Sequence, residues 1–196
     1  MKVLGLYGSP RKGGNTQQLL DKFLQGAQKA GAGTEKVFVA ELKITPCMEY
    51  YACMKTGNCS IKDKMTPLYD RIERADIIAL ASPIFFYGVT AQVKALIDRC
   101  QVFWARKYIL KICNLQSAIC NRKGFFISTA ATKGKKVFEG AKLTVKYFFD
   151  ALNAEYSGEL LVRLVAERDD VKKHPTALKE AYKAGMKLTA SIKSME

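Results

Sequence analysis

"DIIALASPIFFYGVTAQVKALIDRC", residues 76–100, changes character twice within one short stretch. Residues 76–82 are an unbroken apolar run with no polar alternation, the pattern of a strand buried on both faces. Pro83 and Gly88 then frame a loop, and residues 90–100 bring apolar side chains back at helical spacing. A doubly buried strand followed by a helix implies a parallel sheet, because only helices packed on both sides hide both faces.

The rest of the chain repeats that unit. Upstream, residues 2–8 read as a short strand ending in glycine, and residues 15–31 as a helix placing Leu19, Leu20, Phe23, Leu24 and Ala27 on one face before Gly31. Residues 35–42 are a second strand and residues 65–75 a helix. Downstream, strands at 123–129 and 157–165 alternate with helices at 135–153 and 175–192, the last with Pro175 in its first turn. Five strands joined by right-handed crossovers predict a doubly wound five-stranded parallel sheet, an α/β/α sandwich. With no repeat or linker, residues 1–196 read as one domain with excursions at 43–62 and 101–122. Lone His174 sits at a helix start and reads as structural.

Composition narrows the function classes. Hydrophobic residues make up 48% and charged residues 26%, as in an ordinary globular chain. No apolar run approaches a membrane span and the N-terminus lacks a secretory signal, so the expectation is a cytoplasmic protein with no membrane partner. Six cysteines then serve as core residues, ligands or redox groups rather than disulfides. Lys and Arg number 32 against 18 Asp and Glu, a net +14 that attracts anions. The basic residues are scattered without a nucleic-acid-binding motif, so nucleic acid is not the expected partner.

In a sheet of this kind ligands bind beyond the carboxyl ends of the strands. The loop there is "GSPRKGGNT", residues 8–16, which gathers Ser9, Arg11, Asn15 and Thr16 at the start of a helix whose dipole favours an anion. It lacks the lysine of a P-loop and the glycine spacing of a dinucleotide fingerprint, which leaves a terminal monophosphate as the fitting ligand. At the same end of the sheet, Phe85, Phe86 and Tyr87 form an aromatic cluster in a loop, suited to a flat ligand.

These stretches, together with "STAATKG" (128–134), resemble the flavodoxin-like, FMN-binding NAD(P)H-dependent oxidoreductases, including their iron-sulfur flavoprotein branch, over roughly residues 1–135. The resemblance implies that Ser9, Arg11, Asn15 and Thr16 hold the FMN phosphate. It implies that Pro83, Ile84, Phe85, Phe86, Tyr87 and Gly88 lie along the isoalloxazine and ribityl chain, with Thr129, Ala130 and Ala131 bordering the ring. The implied activity passes electrons from NAD(P)H through bound FMN to a small acceptor such as a quinone or a flavin, with the chemistry on the flavin and no catalytic side chain. It also implies a homodimer or homotetramer, with Phe103, Trp104 and Tyr108 of the second excursion as an oligomer contact or lid. An electron carrier docking on partner proteins is a second reading, disfavoured by the basic charge.

The first excursion carries "CMEYYACMKTGNC", residues 47–59. The branch's cluster pattern, Cys-x2-Cys-x2-Cys-x5-Cys, falls on Cys47, Cys53 and Cys59 but puts Tyr50 where the second thiolate belongs. The favoured reading is a loop without a metal; an iron-sulfur cluster on Cys47, Cys53 and Cys59 in an electron-transfer flavoprotein is the alternative. Cys100, Cys113 and Cys120 match no metal spacing and read as structural thiols.

Overall fold

The computed structural model describes residues 1–112 and 122–193. Strands β1 (Lys2–Tyr7), β2 (Gly33–Phe38), β3 (Ile77–Pro83), β4 (Lys123–Ala130) and β5 (Glu155–Arg163) form one sheet in the order β2-β1-β3-β4-β5. Every pairing is parallel, with Leu6 opposite Leu80 and Ser82 opposite Ser128. The order reverses between β1 and β3, and this doubly wound arrangement is the flavodoxin-like one.

The apolar run of β3 divides its side chains between two cores. Ile77, Ala79 and Ala81 face a layer built by α1 (Asn15–Lys29) and α8 (Ala177–Lys193), with Leu19, Leu20, Phe23 and Leu24. Ile78 and Leu80 face the opposite layer, where α3 (Thr66–Glu73), α4 (Ala91–Arg99) and α6 (Glu139–Ala151) bring Leu68, Leu96 and Phe149. Period-two alternation sends neighbouring residues to opposite faces, so a strand buried on both sides must be apolar throughout.

Several boundaries differ from the sequence expectation. The second strand ends at Phe38 and the chain tightens into a 3-10 turn over Val39–Glu41, because β1 offers no partner beyond Tyr7. Short helices α2 (Ala52–Thr56) and α7 (Asp170–Lys173) have too little periodicity to read. The second excursion does not leave the fold at once: α4 continues into α5 (Gln101–Trp104) and a π-helical turn, Ala105–Ile109, burying Val102 and Phe103. Trp104 and Tyr108 pack as a tilted pair, centroids 5.6 Å apart. Residues 113–121, with Cys113 and Cys120, lie outside the described residues. Cys100 is buried in the core, and burial pushes its thiol well above the usual range, as a structural thiol requires. His174 Nδ1 accepts the N–H groups of Thr176 (3.3 Å) and Ala177 (3.1 Å), capping α8.

Candidate functional site

A cleft of about 450 Å³ opens at the carboxyl edge of the sheet, where the loops after β1, β3, β4 and β5 meet. Ser9, Arg11, Asn15, Thr16, Pro83, Ile84, Phe85, Thr129 and Ala131 all line it. Chain order explains the gathering, since parallel strands deliver all their outgoing loops to one edge.

The first loop is wound for an anion. Ser9 Oγ accepts the Arg11 N–H at 3.2 Å, and Gly14 N–H reaches the Arg11 carbonyl at 3.3 Å, folding the loop back over the start of α1. Gly14 occupies the N-cap without any side-chain cap, so the N–H groups of the first turn stay open toward the cleft. Thr16 stands in that turn at 2% exposure. Asn15 is used differently: its Nδ2 donates to the Glu167 carbonyl at 2.8 Å and its Oδ1 accepts the Val171 N–H at 3.3 Å. Its side chain therefore ties α1 to the loop after β5, leaving its backbone N–H for a ligand.

The walls are joined by buried hydrogen bonds. Thr90, the N-cap of α4, donates its hydroxyl to the Gly8 carbonyl at 2.7 Å, accepts Val93 N–H, and gives its own N–H to Ser82 Oγ at 3.1 Å. Ser128 Oγ donates to the Ser82 carbonyl at 2.7 Å, and Ile84 N–H to the Thr129 carbonyl at 2.9 Å. Three loops are thus tied into one edge. A Cβ on Gly8 would fall 2.2 Å from Val93 Cγ2 and 2.7 Å from the Ala81 carbonyl, so this crossing requires glycine.

The aromatic loop is a two-residue turn. Phe85 and Gly88 exchange both backbone hydrogen bonds, at 3.0 and 2.9 Å, while Phe86 (φ 47°) and Tyr87 (φ 62°) both lie in the left-handed region. That is a type I′ turn, normally filled by Asn and Gly; two aromatics there hold backbone strain. Phe86 is fully exposed. Of the residues expected along the ligand, Phe86, Tyr87 and Gly88 are not part of this cleft's lining. Ala130 also leaves the lining: β4 runs through it, and alternation turns Thr129 and Ala131 to the cleft while Ala130 packs on Val137 and Phe138.

The structure adds residues that sequence reading passed over. Pro10, Lys12, Gly14, Val165, Ala166 and Arg168 complete the lining, the last three from the loop after β5. The only sequence signal for Arg168 is "ERDD", which reads as a solvated charge cluster.

The cysteine excursion is anchored elsewhere. Arg99, 1% exposed, donates to the carbonyls of Thr45 (2.7 Å) and Ile61 (3.1 Å) and forks onto both Asp63 oxygens at 2.8 and 3.2 Å. Arg106 bonds the Gly57 carbonyl (2.6 Å), Asn58 and Glu73, docking the tip on the helix after α4. Cys53 and Cys59 pack partly buried against the second core. Burial, with smaller contributions from the neighbouring Cys59 and Cys47, raises the Cys53 thiol above its usual range. Among the described residues no three thiols, imidazoles or carboxylates converge where a metal could be held. Tyr50, in the fourth-ligand place, is 66% exposed. Three thiols and one phenol thus stand where the cluster pattern asks for four thiolates.

No helix among the described residues is long and apolar enough to cross a membrane. A family model for NADPH-dependent FMN reductase matches residues 1–158. An iron-sulfur flavoprotein of Archaeoglobus fulgidus is 40% identical over 99 residues, 50% of this chain and 45% of that protein. Another, of Methanosarcina thermophila, is 35% identical over 111 residues, 57% of this chain and 58% of that protein. The chain spans about half the length of the curated relatives it matches. A solved flavone reductase shares the fold, with a TM-score of 0.73 at 18% identity over 100% of this chain and 64% of that one. With its carboxyl-edge cleft and a family match over most of its length, the chain belongs to the NADPH-dependent FMN reductase family.

Proposed function

We propose that residues 1–196 form one FMN-binding unit that passes electrons from NAD(P)H through FMN to a small acceptor such as a quinone or a free flavin. One observation carries this reading: an uncapped helix N-terminus flanked by Arg11 shares a single cleft with the apolar wall of Pro83, Ile84 and Phe85. An anionic tail and a flat apolar ring, joined by a short polar chain, fit those two halves.

The first turn of α1, with Ser9, Arg11 and Thr16, holds the phosphate; Asn15 contributes its backbone N–H. Pro83, Ile84 and Phe85 border the ring on one side, and Thr129 and Ala131 on the other. Phe86, Tyr87 and Gly88 form the rim, where an exposed aromatic turn shields the ring edge as a substrate docks. Bound FMN supplies the acceptance of a hydride from a nicotinamide and its passage to a second acceptor. The net charge of +14 draws the anionic nucleotide to the cleft. Trp104, Tyr108 and Tyr147 line a groove of about 400 Å³ between α4–α5 and α6, and this face is the self-association surface of the proposed homodimer or homotetramer.

The test is direct. Freshly purified protein shows flavin bands in the visible, and initial rates of NAD(P)H oxidation against two acceptor concentrations give parallel double-reciprocal lines, since both substrates use one face in turn. Absence of flavin binding after titration with FMN sinks the reading; converging lines sink the shared-face part alone. The names of the relatives favour a second reading, an iron-sulfur electron-transfer protein using Cys47, Cys53 and Cys59. Near-stoichiometric iron and acid-labile sulfide in anaerobically prepared protein would install it.

A further inference from the structure

The β5–α7 loop is stitched to the phosphate loop with unusual density for two segments so far apart in sequence. Asn15 bonds Glu167 and Val171, Gln18 Nε2 donates to Asp169 Oδ1 at 2.8 Å, and Arg168 Nη2 donates to the Lys12 carbonyl at 3.3 Å. Leu164 and Asp169 pass through left-handed backbone, φ 61° and 67°, to make the path. Strain of this sort persists where the surrounding contacts fix it, and it concentrates at ligand clamps.

The stitching delivers one charge. The Arg168 guanidinium lies so close over Gly13 (φ 69°) that a Cβ there would sit 2.8 Å from its Nη2. It lines the cleft beside Arg11 and Thr16. The two aspartates that follow Arg168 in the chain have other partners: Asp169 has Gln18 and Lys172 at 2.9 Å, Asp170 has Lys173 at 2.9 Å and the N–H groups of Ala166 and Glu167. Lys12, the third basic residue of the lining, is paired with Glu41 at 2.8 Å. None of the lining residues is acidic. Arg168 and Arg11 are therefore the two guanidinium groups of a lining that also holds the uncapped start of α1, and neither forms an ion pair among the described residues.

We infer that Arg168 is a second, distal clamp on the ligand phosphate, closing from the β5–α7 loop onto the anion cradled by the first loop. This rests on the proposed FMN reading and adds to it a residue from a segment beyond the matched family region. A monophosphate ester carries nearly two negative charges at neutral pH, so a charge-assisted contact from a second arginine sets the preference for the phosphorylated flavin over riboflavin.

The experiment titrates the deflavinated full chain with FMN and, separately, riboflavin, following the quenching of flavin fluorescence. Arg168→Ala weakens FMN binding by roughly ten- to a hundredfold, the range for losing a hydrogen bond to a charged group, and leaves riboflavin binding within about twofold. Arg168→Lys recovers part of the loss; Lys29→Ala, which removes an exposed charge in the last turn of α1, leaves both affinities unchanged. Equal losses for both flavins, or an FMN affinity that Arg168→Ala leaves in place, overturn the clamp. Failure of the unsubstituted protein to bind either flavin overturns the FMN reading itself, and the clamp with it.

Discussion

Replacing Arg99 with Met removes a guanidinium that makes four hydrogen bonds inside the protein and keeps a side chain of similar length in the same space. Its side chain is 0% exposed and that of its partner Asp63 14%, so this is a buried pair. Breaking such a pair costs about 3–5 kcal/mol, because the remaining charge is left uncompensated. Asp63 keeps the N–H groups of Thr45 (3.0 Å) and Met65 (2.9 Å), which places the loss near the lower end. At about 2–4 °C per kcal/mol for a chain of this size, ~3 kcal/mol lowers the midpoint by about 6–12 °C. Because Arg99 holds residues 45 and 61–63 together, the cysteine excursion should open before the sheet does, seen as faster limited proteolysis within residues 46–60 at temperatures where the circular dichroism is intact. Acidity supplies an independent check. Burial alone would raise the Asp63 carboxyl, but Arg99 and the Thr45 and Met65 N–H groups outweigh it and hold it below the usual carboxylate range. A group with a depressed native value contributes fully above its unfolded value of about 3.9 and loses that contribution as pH falls through the native one. Urea unfolding at pH 7 and at pH 3 should therefore show an acid loss in the unsubstituted protein that is smaller in Asp63→Asn. A midpoint within about 2 °C of the original for Arg99→Met, smaller than ~1 kcal/mol, would refute the clamp.

Other expectations follow from the cleft and its surroundings. Phe86→Asn relieves a left-handed aromatic that makes no packing at full exposure, and should raise stability by about 0.5–1 kcal/mol in thermal unfolding while slowing turnover with bulky acceptors. Gly8→Val forces β1 away from α4 and should abolish flavin binding with a loss of at least ~2 kcal/mol; retained FMN titration would show that the edge yields. Tyr147→Glu places a charge on an exposed aromatic (66%) of the α6 face and should shift the mass measured by light scattering to a smaller species at unchanged midpoint. A monomeric unsubstituted protein would refute that surface.

The fold was readable because its cause is local. Ile77 to Ala81 are apolar in both parities, and each following loop carries its own punctuation, as in Pro83 and Gly88. The first half of the cleft was readable for the same reason, since Ser9 and Arg11 sit in one loop and Thr16 in the first turn of the helix that follows it. What escaped depends on contacts across the chain. Arg168 meets Lys12 at a separation of 156 residues, and nothing in "ERDD" distinguishes an arginine at the cleft from one elsewhere on the surface. Asn15 lines the cleft as expected, but only the structure shows that Glu167 and Val171 hold its side-chain amide. Ala130 depends on where β4 stops: as the strand's last residue it alternates away from Thr129 and packs on Val137 and Phe138. Arg99 stands in "IDRC" like any helix-end cation, and only the return of residues 45 and 63 to its tip buries it.

That return has an engineering consequence. With Thr45, Ile61 and Asp63 gathered on one guanidinium, the excursion leaves and rejoins the body at a single fastening point. The segment between supplies no strand to the sheet, so its composition bears on no strand register. Tyr50→Cys is the single edit that would complete the spacing Cys-x2-Cys-x2-Cys-x5-Cys in this chain.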